Sequence, residues 1–346
     1  MLRQLLSLFT TRFDIMLSIF SSSLQQISYE NIPTLRPLES ELSLILIFSR
    51  VLEDIMRLAV EHIRRMHGGT QAHLMRCDDG EYYVIKFKNN PQHLRTLAND
   101  LFATRLAAWM GICVPEVDIV EVRSSLIENT PDLVMQMSTG RLSCASGKQF
   151  GSKFPGNPSM VTIYDHLPDE HLDRVQNINE FLGIFVFDKW TCQTDKRQVI
   201  FIQQPTVGAR NTAEKGYKAM MIDQGFCFDG GSWSFPDAPL HSLYFNRRVY
   251  ESVIGIDAFY PWVDRLETGL TSSILFDIGK HVPSEWYGED HEAWERLIER
   301  LYLRRKRVRE LIWSAGNALC GAFPNWNRYA SPRSVIKSLR GTTRVA

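Results

Sequence analysis

The feature that most narrows the fold is the run from Leu74 to Lys88, which reads Leu-Met-Arg-Cys-Asp-Asp-Gly-Glu-Tyr-Tyr-Val-Ile-Lys-Phe-Lys. Two strings of strand-forming residues flank Asp78-Asp79-Gly80, and an Asp-Gly pair supplies the positive φ that a tight turn requires. The run is therefore a hairpin. Its second strand carries Lys86 among Val84, Ile85 and Phe87. A long cation pointing inward from an apolar strand needs a partner. The competing expectation is a solvated strand face, because Lys88 alternates onto the same side. Asp100, in the segment that follows, is the acidic residue best placed to pair with Lys86.

What surrounds the hairpin gives an ordered unit. Before it lies His67-Gly68-Gly69-Thr70-Gln71, a short glycine loop between two expected strands. After it, Asn89-Asn90-Pro91 interrupts, and Leu94, Leu97, Leu101, Phe102, Leu106 and Trp109 recur at helical spacing until Gly111. Val117 to Val122 then reads as another strand. The order is strand, glycine loop, strand, turn, strand, helix, strand. A glycine pair lets backbone N–H groups approach phosphates, and a lysine on the third strand reaches toward the same phosphates. A Gly-Gly loop alone is equally what an ordinary tight turn looks like.

The middle of the chain supplies carboxylates. Residues 137–159 are rich in Ser, Gly and Pro and read as a flexible surface loop. Thr162 to Pro168 ends a short strand. Phe181 to Trp190 is a dense apolar stretch, expected as a buried helix, and it runs into Thr191-Cys192-Gln193-Thr194-Asp195-Lys196-Arg197-Gln198. An apolar helix that delivers an aspartate on a polar loop is one way to seat a catalytic base. The rival use of Asp195 is to cap a turn. Further on, Met221-Ile222-Asp223-Gln224-Gly225 places one carboxylate in an apolar strand, where burial is costly without a partner or a metal. Asp188 is expected in a structural hydrogen bond or salt bridge. A glycine loop, a strand lysine and two carboxylates, in that order, are the parts phosphoryl transfer asks for.

Composition sets outer bounds. The 346 residues suffice for two domains or one domain of two lobes, and 39 basic side chains against 39 acidic ones leave no global field for a nucleic-acid backbone or an anionic membrane. Six widely spaced cysteines include no Cys-x-x-Cys pair, which argues for reduced thiols and a cytoplasmic setting. The nine histidines form no His-Glu-x-x-His. Leu5 to Phe20 is broken by Arg12 and Asp14, so neither a membrane span nor a secretion signal is expected. Residues 1–57 read as an extension: an appendage upstream of the domain, a docking helix or an organelle-directing segment, with Glu39, Glu41, Glu53 and Asp54 counting against the last.

Toward the C-terminus, Trp294, Leu297, Ile298, Leu301, Val308, Leu311 and Ile312 form an apolar helical stripe. The neighbouring Arg304-Arg305-Lys306-Arg307 and Arg309 read as a solvated face, since Glu292, Glu295 and Glu299 precede them. Trp233, Trp262 and Trp286 are expected as core or interface anchors. No Gly-x-Ser-x-Gly elbow supports a hydrolase.

From Arg64 to Trp326 the chain resembles the HipA-like kinase family, which is related to protein kinases and phosphoinositide kinases. The likeness is carried by Gly68-Gly69-Thr70-Gln71, Tyr82 to Lys86, Leu97-Ala98-Asn99-Asp100-Leu101, Phe187-Asp188-Lys189-Trp190, Asp195-Lys196-Arg197-Gln198, Met221 to Phe226, and Phe323-Pro324-Asn325-Trp326. It implies an α+β, two-lobed protein-kinase-like fold, with a sheet-rich N-lobe at 58–136, a mostly helical C-lobe at 160–327 and a tail at 328–346. It implies ATP and Mg²⁺ as cofactors, with Gly68, Gly69, Thr70, Gln71, Lys86 and Asp100 on the nucleotide side. Asp195 would be the catalytic-loop aspartate and Asp223 the metal-binding one. The acceptor would be a serine or threonine hydroxyl of a protein, with no nucleic-acid partner. Two positions depart from the family pattern: Gln198 stands where asparagine is expected as a metal ligand, and Asp100 where glutamate is expected to pair with the lysine. These departures keep open a catalytically impaired pseudokinase acting as an interaction scaffold.

Overall fold

The computed structural model describes residues 56–207, 213–318 and 321–327. The tail at 328–346, Cys320 and residues 1–55 of the expected extension lie outside the described residues. Arg57, assigned to that extension, already opens the first strand.

The first part of the chain closes into a five-stranded barrel. β1 (Arg57–Arg65), β2 (His73–Cys77), β3 (Tyr82–Lys86), α1 (Arg95–Trp109) and β4 (Val117–Val122) follow the expected order. Then come α2 (Ser124–Glu128), β5 (Val134–Met137), β6 (Gly140–Ser143) and β7 (Gly147–Lys153). The barrel runs β1-β2-β3-β7-β4. Gly80 makes the hairpin turn at φ 83°.

β7 corrects the sequence reading, which made 137–159 a flexible loop. It is a barrel stave, paired with β3 through Lys86 opposite Phe150 and with β4 through Ile119 opposite the same residue. The glycines that read as turn punctuation have another cause. A side chain at Gly151 would collide with Val120 Cγ2 on β4, so glycine is what lets the two strands approach.

The second part is a sheet and a set of helices. β8 (Ile163–Tyr164), β9 (Gln198–Val207) and β10 (Ala213–Ile222) form a three-stranded antiparallel sheet with β9 in the middle. The β9–β10 ladder ends with Ile222 opposite Gln198. α3 (Glu180–Thr191) is buried along almost its whole length, with Phe181, Phe185, Phe187 and Trp190 fully enclosed and Trp190 Nε1 donating to the Leu301 carbonyl at 2.9 Å. α4 (Tyr260–Gly269), α5 (Ser272–Gly279), α6 (His291–Arg304) and α7 (Val308–Asn317) complete the order. One apolar cluster joins α1 and α3 to these helices, and a smaller one fills the barrel. Among the described residues no helix is long and apolar enough to cross a membrane.

The basic run that begins at the end of α6 is only in part the solvated face expected: Lys306 and Arg307 are exposed, but Arg304 and Arg305 are not. Arg304 follows Leu297 and Leu301 on the inward stripe, and it is buried, donating to the Lys189 carbonyl at 3.2 Å and to Asp237 at 2.7 Å. Arg305 is buried too, and Arg309 pairs with Asp264 and Glu267. Trp233 and Trp286 are core residues, as expected, and Trp262 packs at the core's margin.

Two polar groups inside this framework carry measurable consequences. Asp188, at the end of α3, forms a fully enclosed ion pair with Arg197, whose Nε lies 3.0 Å from Asp188 Oδ2 and whose Nη2 contacts Oδ1. Arg197→Ala strands a buried carboxylate and should cost about 3–5 kcal/mol in urea unfolding. Replacing both residues by apolar ones of similar size should cost less, and the reverse ranking would refute the assignment.

His73 is wholly buried in β2, 3.0 Å from His62 and edge-on to Phe87. Burial pulls its pKa down to about 4. The folded state thus keeps it neutral while the unfolded chain takes up a proton near pH 6.5, so stability is lost as pH falls between those values. Tm should drop across that window, and His73→Leu should flatten part of the drop. A slope left unchanged by the substitution would count against it.

Candidate functional site

The site is assembled from three elements that meet at one ammonium group. Lys86 is the last residue of β3, and its Nζ donates to Asp100 Oδ2 at 2.8 Å and to Asp223 Oδ1 at 2.9 Å. The solvated-face alternative for Lys86 does not hold, since the residue is only 8% exposed. Asp100 lies in α1 among Leu97, Leu101 and Phe102 and is buried with them; its second oxygen accepts the Gln224 backbone N–H at 2.9 Å. Asp223 does not sit inside the strand. It is the first residue beyond β10, at φ 61°, a left-handed conformation that aspartate tolerates better than bulkier residues. The ladder register sets it beside Gln198, whose Nε2 donates to Asp223 Oδ2 at 2.7 Å.

Charge is distributed unevenly within this cluster. Burial pushes the Asp100 carboxyl up to about 6 against the pull of Lys86. Burial also works against the charge on Lys86 and Asp223, but their mutual attraction outweighs it. Lys86 is raised by the two carboxylates, and Asp223 is held below the usual carboxylate range. One ammonium between two ionised carboxylates leaves one negative charge over, on the side of Asp223, the more exposed of the two.

Asp195 lies on a loop stitched to the same backbone. Gln193 Nε2 donates to the Asp223 carbonyl at 3.2 Å, the Thr194 N–H to the Phe226 carbonyl at 3.2 Å, and Arg197 Nη1 to the Ile222 and Asp223 carbonyls at 3.0 and 3.3 Å. Asp195, between them, is exposed and accepts the Lys196 N–H at 2.7 Å.

The glycine loop stands apart from this cluster. Among the described residues none of Gly68, Gly69, Thr70 or Gln71 is hydrogen-bonded to it. Gly68 has φ 128°, and a side chain at Gly69 would lie 2.5 Å from Gln92 Nε2. The Gln71 side chain is spent on β5: it accepts the Gln136 N–H and donates to the Gln136 carbonyl, both at 2.7 Å. Its φ of 52° and these bonds give Gln71 a turn-forming task.

Asn99 is the residue that sequence reasoning passed over. Its Nδ2 donates to the carbonyls of Gly225, Cys227 and Gly230 at 2.9, 3.2 and 2.9 Å, and its Oδ1 accepts Trp233 Nε1 at 2.9 Å. The segment it grips holds Phe228, Asp229 and Trp233 at positive φ, a costly backbone that persists only when its surroundings fix it. Arg95 adds a bond to the Gly231 carbonyl and stacks its guanidinium 4.1 Å from the Trp233 ring centre. The available signal was an amide in a helix whose neighbours are all core residues.

The donor set was tested for a metal. Among the described residues no three His, Cys, Asp or Glu side chains gather to cage one. Mg²⁺ takes one or two carboxylates and completes its shell with phosphate oxygens and water. Asp223 offers one carboxylate of the kind such an ion takes, while Gln198 turns its amide nitrogen, a donor, toward that carboxylate.

A search among curated sequences gives no significant match. Among solved structures, a Golgi casein kinase with Mn/ADP bound overlaps at TM-score 0.41 and 11% identity, over 79% of this chain and 78% of that one. The Helicobacter pylori proinflammatory kinase CtkA overlaps at TM-score 0.42 and 11% identity, over 72% and 92%. HipA of Shewanella oneidensis MR-1, solved with HipB and operator DNA, gives 0.31 and 13%, over 83% and 75%. Overlaps this loose transfer no residue and no ligand. The family model described as HipA-like kinase matches residues 59–310, well over half of the sequence, and the chain belongs to that family.

Proposed function

We propose that this protein is an ATP-dependent phosphotransferase, with the barrel and its flanking segment as a small lobe, the region from about 160 to 327 as a larger lobe, and nucleotide bound between them. The observation that carries this reading is the Lys86 ammonium held between Asp100 and Asp223, with Gln198 on the second carboxylate. In the assignment we favour, Lys86 steadies the phosphates and Asp100, fixed in the core, keeps it aimed. Asp223, with Gln198 once its amide is turned to present the oxygen, would hold Mg²⁺, and the ion would neutralise charge on the phosphates. Asp195, exposed on its stitched loop, accepts a hydrogen bond from the acceptor hydroxyl and takes its proton. The backbone of the glycine loop covers the phosphates. The acceptor we infer is a serine or threonine of a protein, and the free cysteines suit a cytoplasmic setting.

A second reading has its own observation. Gln198 is one methylene longer than the asparagine the family pattern leads one to expect, and its amide nitrogen faces Asp223. That arrangement favours a scaffold that keeps the kinase shape without turnover.

Titration calorimetry with ATP and Mg²⁺ tests the shared part: heat of binding is expected, and Lys86→Met should weaken it severely. No heat and no thermal shift at millimolar nucleotide would defeat both readings. Transfer of γ-phosphate to a generic protein acceptor then separates them. Asp195→Asn should reduce turnover by roughly a hundredfold or more while leaving nucleotide affinity nearly unchanged. Unaltered turnover would mean that Asp195 is misassigned, and binding without any transfer by the unmodified protein would select the scaffold.

A further inference from the structure

A second cavity lies one helical turn along α1 from Asp100. It has a volume of about 300 Å³ and is walled by α1, β3 and the start of β4. None of the residues assigned above to nucleotide, metal or catalysis lines it. It touches the site only through Thr104, whose Oγ1 donates to Gln224 Oε1 at 3.3 Å.

Its charged lining, Arg57 and Arg105 against Glu116 and Asp118, is balanced in number but unevenly paired. Asp118 stands 3.3 Å from Arg57 Nε, and Arg57 is drawn to Asp79 at 3.4 Å as well. Glu116 is paired with Lys153 at 3.6 Å. Arg105 is the less engaged of the two cations: among the described residues its half-buried guanidinium makes no hydrogen bond and no ion pair, burial works against its charge, and the Asp118 carboxylate supports it only in part. Arg57 Nε is buried and ion-paired with Asp118 and Asp79 without being aligned to hydrogen-bond either. A guanidinium such as that of Arg105, with unspent donors in a concave site, is unusual, because each desolvated donor that lacks a partner carries a cost. The rest of the wall is apolar: the Tyr83 ring, Ala108, Pro115 and Val117.

We infer that this cavity binds a small carboxylic acid, its carboxylate on the Arg105 fork and its apolar body against Tyr83, Pro115 and Val117. The guanidinium plane matches a carboxylate bidentately. The volume lies at the lower end of the range for ligand sites, enough for a single ring and a short arm. The carboxylates of Asp118 and Glu116 at the same wall favour a monoanion over a dianion.

The test uses benzoate and phenylacetate, with benzamide as the neutral counterpart and phenyl phosphate as the dianionic one. Each is titrated at millimolar concentration into the full chain and followed by saturation-transfer NMR and thermal shift. Both carboxylates should bind saturably, benzamide should not, and phenyl phosphate should bind more weakly. Arg105→Gln should weaken carboxylate binding about tenfold or more, the scale of one charge-assisted contact. Ala108→Phe, at an exposed helix position, should block binding with the fold intact. The inference is overturned by the absence of a saturable carboxylate signal, by equal binding of benzamide, by tighter binding of phenyl phosphate, or by affinity that Arg105→Gln leaves unchanged.

Discussion

One ammonium group ties the molecule's working parts together. Lys86 Nζ is the point at which the barrel, through β3, meets both the helix that carries Asp100 and the turn that carries Asp223. A lysine at this depth is tolerable only because two carboxylates face it, and the carboxylates are tolerable only because of the lysine. The cluster is therefore all or nothing in a way that an apolar contact is not. Losing Asp100 would leave Lys86 dependent on Asp223 alone, and losing Lys86 would leave two like charges close together with burial against both.

The cluster keeps its geometry because the backbone on either side of Asp223 is held by side chains that play no part in the ammonium contact. Arg197, locked by Asp188, grips the carbonyls of Ile222 and Asp223 from the α3 side. Asn99 grips those of Gly225, Cys227 and Gly230 from α1, one residue before Asp100. A main chain with several positive φ values gains little from its own regular hydrogen bonds, so these external donors fix the conformation. Asp223 is thus positioned by two helices that the larger apolar cluster packs as one body. Packing energy far from the site is in this way converted into the placement of one carboxylate.

The sequence announced the parts that depend on local pattern. The Asp78-Asp79-Gly80 turn, the stripe on α1 and the apolar run of α3 are set by residues within one or two turns of one another, and each formed where expected. Lys86 and Asp223 were legible for the opposite reason, as charges whose apolar neighbours made them conspicuous. What stayed hidden depends on partners far along the chain. Gly151 reads as a loop residue because its justification, the approach of β7 to β4, is invisible without the neighbouring strand. Asn99 lies 126 to 131 positions from the carbonyls it holds, and Arg304 lies 67 from Asp237. A buried cation with a distant partner looks in sequence like a solvated one.

Asp100 and Gln198, the two side chains expected to depart from the family pattern, both bear on Asp223, one through Lys86 and one directly. Aspartate at position 100 has one methylene less reach than glutamate, and both carboxylates share Lys86 because the chain after Asp223 lies close against α1. Gly225 permits that approach: a Cβ there would lie 2.5 Å from Thr96 Cγ2 and 3.1 Å from Asp100 Oδ2. The same closeness lets the Gln224 N–H reach Asp100, which supplies the second hydrogen bond that a buried carboxylate requires. On the other face, Gln198 opens β9 rather than sitting within a loop, and from a strand end its longer side chain spans the gap to Asp223. Asp223 is in this way held from the α1 side through Lys86 and from β9 through Gln198. Restoring the family residue at only one of the two positions would therefore crowd or loosen the cluster, and the two substitutions should be energetically coupled.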